Sequence, residues 1–175
     1  MTPSNSVETL SPEAIITHLD ALSAILEDCV TGGASVSFML PFSRQRARQF
    51  WQAMAESIRR EERTVLACRD AQGDYIGTVQ LITSQPENQP HRADVAKLLV
   101  HSKARRQGIA MQLMQALEAT ARAQGKTVLV LDTATGSGAE SFYQQAGWQK
   151  AGEIPRYALM PDGTMAGTSL FYKFL

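Results

Sequence analysis

No run of 18 apolar residues occurs in this 175-residue chain, so it carries no segment of the length and apolarity of a membrane-spanning helix. Net charge is missing too. Seventeen Lys and Arg balance seventeen Asp and Glu, leaving no overall field to gather nucleic acid or an anionic membrane. Cysteine is scarce: Cys29 and Cys68 lack CxxC spacing, which argues against a redox pair or zinc knuckle and for two buried thiols. There is no GxxxxGK[ST] loop and no GxGxxG after a strand, which argues against P-loop and Rossmann nucleotide sites. His18, His91 and His101 show no metal-ligand spacing, so no metal is expected. The opening MTPSNSVETLSPE is polar and lacks the apolar stretch of a signal peptide, so the expected location is the cytoplasm.

What remains is the mix of an ordinary globular protein, 44% hydrophobic and 19% charged, expected to form one domain over residues 1–175. Residues 5–10 can form a first strand. After Ser11-Pro12-Glu13, the apolar positions Ile15, Leu19, Leu22, Ile25, Leu26 and Cys29 predict one amphipathic helix ending at Thr31-Gly32-Gly33. Ser43 is placed to cap a second helix reaching about Glu62, with Phe50, Met54 and Ile58 on one stripe. Thr64–Arg69 and Tyr75–Ile82 read as a hairpin. The Ser84–Arg92 segment is a polar, Pro-containing loop. Strand 93–100, helix 108–124 and strand 126–133 make a βαβ unit whose second strand is expected to be buried on both faces. A short helix over 139–146 and strands near 148–153 and 169–174 complete a mixed α/β sheet of six to seven strands with about four helices.

The most telling stretch is Leu98–Met111, LLVHSKARRQGIAM. An apolar run stops, a basic loop follows, and Gly108 opens a helix. Amide groups there, with Arg105 and Arg106 beside them, can receive a phosphate. Gly108 lets a ligand approach the backbone and small Ala110 leaves room. The basic patch Lys103–Arg106 is too short for a nucleic-acid footprint.

Arg105–Ala110 resembles the [RQ]xxGx[GA] acyl-coenzyme A loop of the GNAT (Gcn5-related) N-acetyltransferases. AESFYQQAGW (139–148) resembles that family's later A-x-x-F-Y-x-x-x-G-[FW] motif. Further segments (32–39, 92–100, 131–143 and 152–163) read like those of the family members that confer resistance to tabtoxin. The resemblance implies a GNAT-type fold and acetyl-CoA as co-substrate. It assigns the pantetheine arm to Leu98, Leu99 and Val100. The diphosphate falls to Arg105, Arg106, Gln107, Gly108, Ile109, Ala110 and Met111. Many members place an Asn after the strand at 126–133; here Ser137 is the nearest polar substitute. Tyr143 takes the position of the acid that protonates, or hydrogen-bonds, the departing thiolate. Asp94 and Asp132 are the candidate bases, unranked, since an ammonium must lose a proton before attack. Strand alternation would put Asp94, Ala96, Leu98 and Val100 on one face.

The implied reaction is direct acetyl transfer to a small amine or amino-acid-like toxin (tabtoxinine-β-lactam-like), with Ser35, Phe38, His91, Asp94 and Asp132 as acceptor contacts. The segments 33–39, 84–92 and 154–163 would form the walls. O-acetylation of a small hydroxyl compound, acetylation of protein and a non-catalytic coenzyme A-binding module are the alternatives. No nucleic acid or membrane is an expected partner, and a homodimer stays open.

Overall fold

A computed structural model describes residues 4–175. The elements run β1 (Ser6–Thr9), α1 (Pro12–Thr17), α2 (Leu19–Thr31), α3 (Arg44–Arg59), β2 (Arg63–Arg69), β3 (Tyr75–Ile82) and β4 (Arg92–Val100). After a 3-10 turn at Ser102–Ala104 come α4 (Ile109–Ala123), β5 (Val128–Ala134), α5 (Ala139–Gln145), β6 (Gln149–Leu159) and β7 (Met165–Phe174). Seven strands form one mixed sheet in the order β1-β2-β3-β4-β5-β7-β6. Its parallel pair is β4–β5; the others are antiparallel.

The sheet buries both faces. Against one lies α4, whose Ile109, Leu113, Met114, Leu117 and Ala121 pack with Ile76, Val79, Leu129 and Phe171. Gly77 permits that approach. A Cβ there would meet Ile109, Leu113 and the Leu99 carbonyl, each at 3.1 Å. Against the other face α1, α2 and α3 bring Ile15, Leu22, Ile25, Leu26 and the fully buried Trp51. The Trp51 indole donates to the Leu22 carbonyl at 3.0 Å, which removes the cost of burying its N–H. Cys29 and Cys68 are free and buried, one in each core. No described helix is long and apolar enough to cross a membrane.

Four sequence expectations change. The first helix is two, because His18 leaves helical geometry (φ −107°, ψ 28°) and sets its ring edge-on to Tyr75, centroids 5.0 Å apart. Hence there are five helices rather than four. Strand β5 is not buried on both faces: Leu129 and Leu131 are buried while Asp132 is exposed. The last two strands are longer than 148–153 and 169–174, and form an arm. β6 lies at the sheet edge, where Pro155 costs no ladder bond, and its register shifts between Ile154 and Ala158.

The fourth change bears on function. In β4 the register passes from Thr78↔Leu99 to Gln80↔Ala96, so β4 spends three steps where β3 spends two. The extra residue makes a bulge at Lys97, whose φ is +57°. A bulge reverses alternation. Leu98 and Val100 therefore pack toward the α4 face, together with Ala93 and Val95, while Leu99 joins the α1–α3 core. Asp94 and Ala96 do not share a face with Leu98 and Val100, contrary to simple strand parity.

Candidate active site

β4 and β5 pair at Arg92↔Val128, Ala93↔Leu129 and Asp94↔Val130, and pairing stops there. Past that point β4 keeps its bonds to β3, but its β5-facing backbone groups have no strand beside them. A buried strand with one open side needs a partner for those groups. The opening is where the sequence resemblance puts a pantetheine arm.

Two cavities meet at the opening. One, of about 460 Å³, is lined by Leu98, Leu99, Val100, Arg105, Arg106, Gly108, Ile109, Ala110, Met111 and Tyr143. The second, of about 250 Å³, lies between Ser35 and Val36, the bulge residues Ala96 and Lys97, and Asp132, Ser137 and Met160. Ala34, Leu98, Ala139 and Tyr143 line both. A third hollow extends the second outward between Ser37 and the β6–β7 arm at Tyr157–Leu159 and Ala166–Thr168.

The lip of the larger cavity is the loop into α4. Arg106 (φ +62°) and Gly108 (φ +75°) are both left-handed, which turns successive amides toward one concavity. Among the described residues, none of the amides from Arg105 to Met111 donates to a protein acceptor, and Gly108 caps α4 without a side-chain bond. Unpaired amides at a helix start, with two guanidinium side chains alongside, suit a diphosphate. Residues and cavity thus fit coenzyme A.

Tyr143 stands at the junction. It projects from α5, which starts after a turn where Glu140 accepts from the Gly136 amide at 2.7 Å. Its ring is wedged near Phe142, Phe171 and Trp148, with centroids 5.3, 5.9 and 6.0 Å away. Burial, and secondly the Asp132 charge, push its phenol up to about 12. The hydroxyl has no hydrogen-bond partner among the described residues. It remains a donor across the physiological range.

The two carboxylates part company. Asp132 lines the second cavity, and its Oδ2 accepts from the buried Thr168 hydroxyl at 2.7 Å. Asp94 sits where β4 and β5 are still zipped. It accepts from the Arg92 guanidinium at 2.5 Å and the Gln85 amide at 3.0 Å. Arg92 in turn donates to Gln85 and Gln89, both at 2.6 Å, so this cluster braces the 84–92 loop. His91 is exposed beside it, and its carbonyl accepts from Thr127 and Val128 at 2.8 and 3.2 Å. That loop thus lies at the closed end of the parallel pair and lines none of these cavities.

Other expected residues also fall elsewhere. Phe38 packs on Phe42 and Phe50, at 4.8 and 5.6 Å between centroids, rather than lining the opening. Gln107 faces a separate hollow with Asp70 and Gln72. Ser137 lines the second cavity, 3.4 Å from the Thr133 hydroxyl, and not the larger one at the loop into α4. Ser35 does line the second cavity. Lys97 and Thr168 were not anticipated, whereas part of the expected 154–163 wall, Tyr157 to Met160, does line these hollows. The one available signal was Lys97 itself, a charge set among Ala96, Leu98, Leu99 and Val100.

Comparison with known proteins gives concordant results. A family model described as "Acetyltransferase (GNAT) family" matches residues 20–148. The fold is similar to that of an N-acetyltransferase from Staphylococcus aureus Mu50, at TM-score 0.80 and 20% identity over 98% of each chain. It is similar to a ribosomal-protein-alanine N-acetyltransferase from Brucella melitensis, at 0.79 and 21% over 97% and 99%. A Salmonella typhimurium structure, described with its cofactor acetyl-CoA, matches at 0.79 and 14% over 98% and 94%.

Proposed function

The chain belongs to the GNAT acetyltransferase family, and from that premise we propose that it is a cytoplasmic, single-domain acetyl-CoA-dependent N-acetyltransferase of a small amine. The observation that carries this reading is the run of unpaired amides from Arg105 to Met111 beside an open strand pair. Those amides, with Arg105 and Arg106, would hold the diphosphate, and the open edge of β4 at Leu98–Val100 would pair the pantetheine amides. Coenzyme A so held supplies the acetyl thioester at the junction of the two cavities.

Asp132, facing the acceptor cavity, takes the first proton from the arriving ammonium. The nitrogen then forms its bond to the acetyl carbon as the carbon–sulfur bond breaks. The second proton lost by nitrogen is taken up by the departing sulfur, which leaves as the free thiol. Tyr143 supports that step as a hydrogen-bond donor. With its phenol near 12 and an ordinary thiol at ~8.5, complete transfer of its own proton to the sulfur would run uphill. Asp94 is the alternative base, but its two bonds to Arg92 and Gln85 favour a bracing role.

An amino-acid-like toxin of the kind inactivated by the tabtoxin resistance protein is the favoured acceptor, on the four sequence segments that resemble it. A protein N-terminus is the second reading, because one similar fold carries that activity in its name. An acceptor screen with thiol-release detection tests the proposal. Acetyl-CoA-dependent thiol release with a small amine supports it; release only with peptides or hydroxyl compounds overturns it.

A further inference from the structure

The Lys97 bulge places a cation where the mechanism above needs none. Its ammonium has no hydrogen bond and no ion pair among the described residues, and lies 6.0 Å from the Phe50 ring centroid. It lines both the second cavity and the hollow leading out of it. The bulge that sets it there holds Lys97 at a left-handed φ of +57°, which is strained for a lysine.

The surroundings are rich in donors. Gln80 lies opposite Ala96, one residue from the bulge, and is fully buried with its Nε2 unpartnered. Its Oε1 is taken by Arg63 at 2.8 Å, and Arg63 also donates to Ser57 at 2.8 Å. Burial and the Arg63 charge depress the Lys97 ammonium below the usual lysine value, with Asp132 opposing them. A buried amide without an acceptor and a lysine crowded by a second cation are each costly alone. An anion entering the cavity that Lys97 lines would relieve the lysine.

We propose that Lys97 is the specificity-determining residue of the acceptor site, binding a carboxylate carried by the same molecule whose amine Asp132 deprotonates. The acceptor is then an amino-acid-like zwitterion. Its two charges meet opposite charges in the cavity, the amine at Asp132 and the carboxylate at Lys97. A peptide N-terminus, whose neighbouring carbonyl is an amide, lacks the anion. This inference rests on the acetyltransferase reading above and sharpens its substrate class.

The test is a panel of amino acids, each matched with the amine left by removing its carboxylate, together with short peptides. Acetyl-CoA is the donor and thiol release the readout. In the wild type a carboxylate-bearing member is expected to exceed its partner amine in kcat/KM by about tenfold to a hundredfold. Lys97→Met is expected to abolish that ratio chiefly through KM, and Lys97→Arg to restore part of it. Lys97→Gln serves if the methionine variant fails to fold, which a coenzyme A titration by calorimetry reports. A ratio that survives in the folded variant overturns the inference. So does a wild type that binds coenzyme A yet acetylates only simple amines or peptides, or none of the panel. Failure of the wild type to bind coenzyme A would instead overturn the underlying reading, and this inference with it.

Discussion

Replacing Gly108 separates backbone geometry from charge at the loop into α4. A side chain at φ +75° costs about 1–2 kcal/mol in any L-residue. Space is not the obstacle, since nothing lies within 4 Å of an added Cβ. Gly108→Ala and Gly108→Glu should therefore melt at similar temperatures, both about 2–8 °C below the parent for a chain of this size. Their coenzyme affinities should differ sharply. A glutamate carboxylate about 5 Å from a bound phosphate at an effective dielectric of about 20 costs ~3 kcal/mol per charge pair. That is about a hundredfold loss of affinity or more. The alanine variant should stay within about threefold of the parent, because its strain is present with or without ligand. High salt should recover part of the glutamate deficit by screening. Calorimetric titration with coenzyme A, beside melting curves, reads both quantities. A folded Gly108→Glu protein with undiminished affinity would refute the assignment of the diphosphate to this loop.

Tyr143→Phe should lower kcat by about a hundredfold or more while coenzyme affinity holds within a few fold, as expected for a donor used mainly during reaction. Equal turnover across pH would remove its role. In the parent, ultraviolet difference titration should find one tyrosine ionising near 12, absent from the phenylalanine variant. Because the folded value lies above the unfolded one of about 10, this group's stabilisation is complete below pH ~10. It is then lost as pH rises toward 12, by ~2–3 kcal/mol in all. The phenylalanine variant should lose correspondingly less over that window. Asp132→Asn should cut kcat/KM about a hundredfold at neutral pH, with the deficit shrinking as the amine deprotonates at high pH. Asp94→Asn should instead leave the pH profile unchanged and cost under about 1 kcal/mol of stability, its ion pair being partly exposed. The opposite pattern would assign the base to Asp94.

The loop into α4, where we propose that coenzyme A is held, was legible in the sequence as a feature because its elements are local, although Gln107 and Ser137 line other hollows. A glycine at a helix start, adjacent arginines and a preceding apolar strand lie within fourteen residues, and the resemblance of two motifs named the family. The second cavity was legible only in part, at Ser35, Asp132 and the 33–39 and 154–163 segments, for equally physical reasons. A single bulge at Lys97 reverses the parity of β4, and no propensity marks a lysine as left-handed. Parity therefore grouped Asp94 with Leu98 and Val100, and the fold separates them. The full length of the β6–β7 arm escaped because β6 is exposed nearly throughout, which erases the alternation a strand would show. Pro155 sits in its middle, a residue a central strand does not accept, and the edge position and register shift accommodate it. His91 looked close to the acceptor because it precedes β4, but a parallel pair opens at its far end. Asp132 needed only its place at the end of β5, which the pattern of that strand supplied.

The most direct measurement is the backbone amide spectrum of the labelled protein titrated with coenzyme A and, separately, with pantetheine, which lacks the diphosphate. Resonances of Arg106, Gly108, Ile109 and Ala110 should move strongly with coenzyme A and little with pantetheine, whereas Leu98–Val100 should respond to both. If those four amides stay unmoved while saturable binding perturbs another part of the molecule, the diphosphate is held elsewhere.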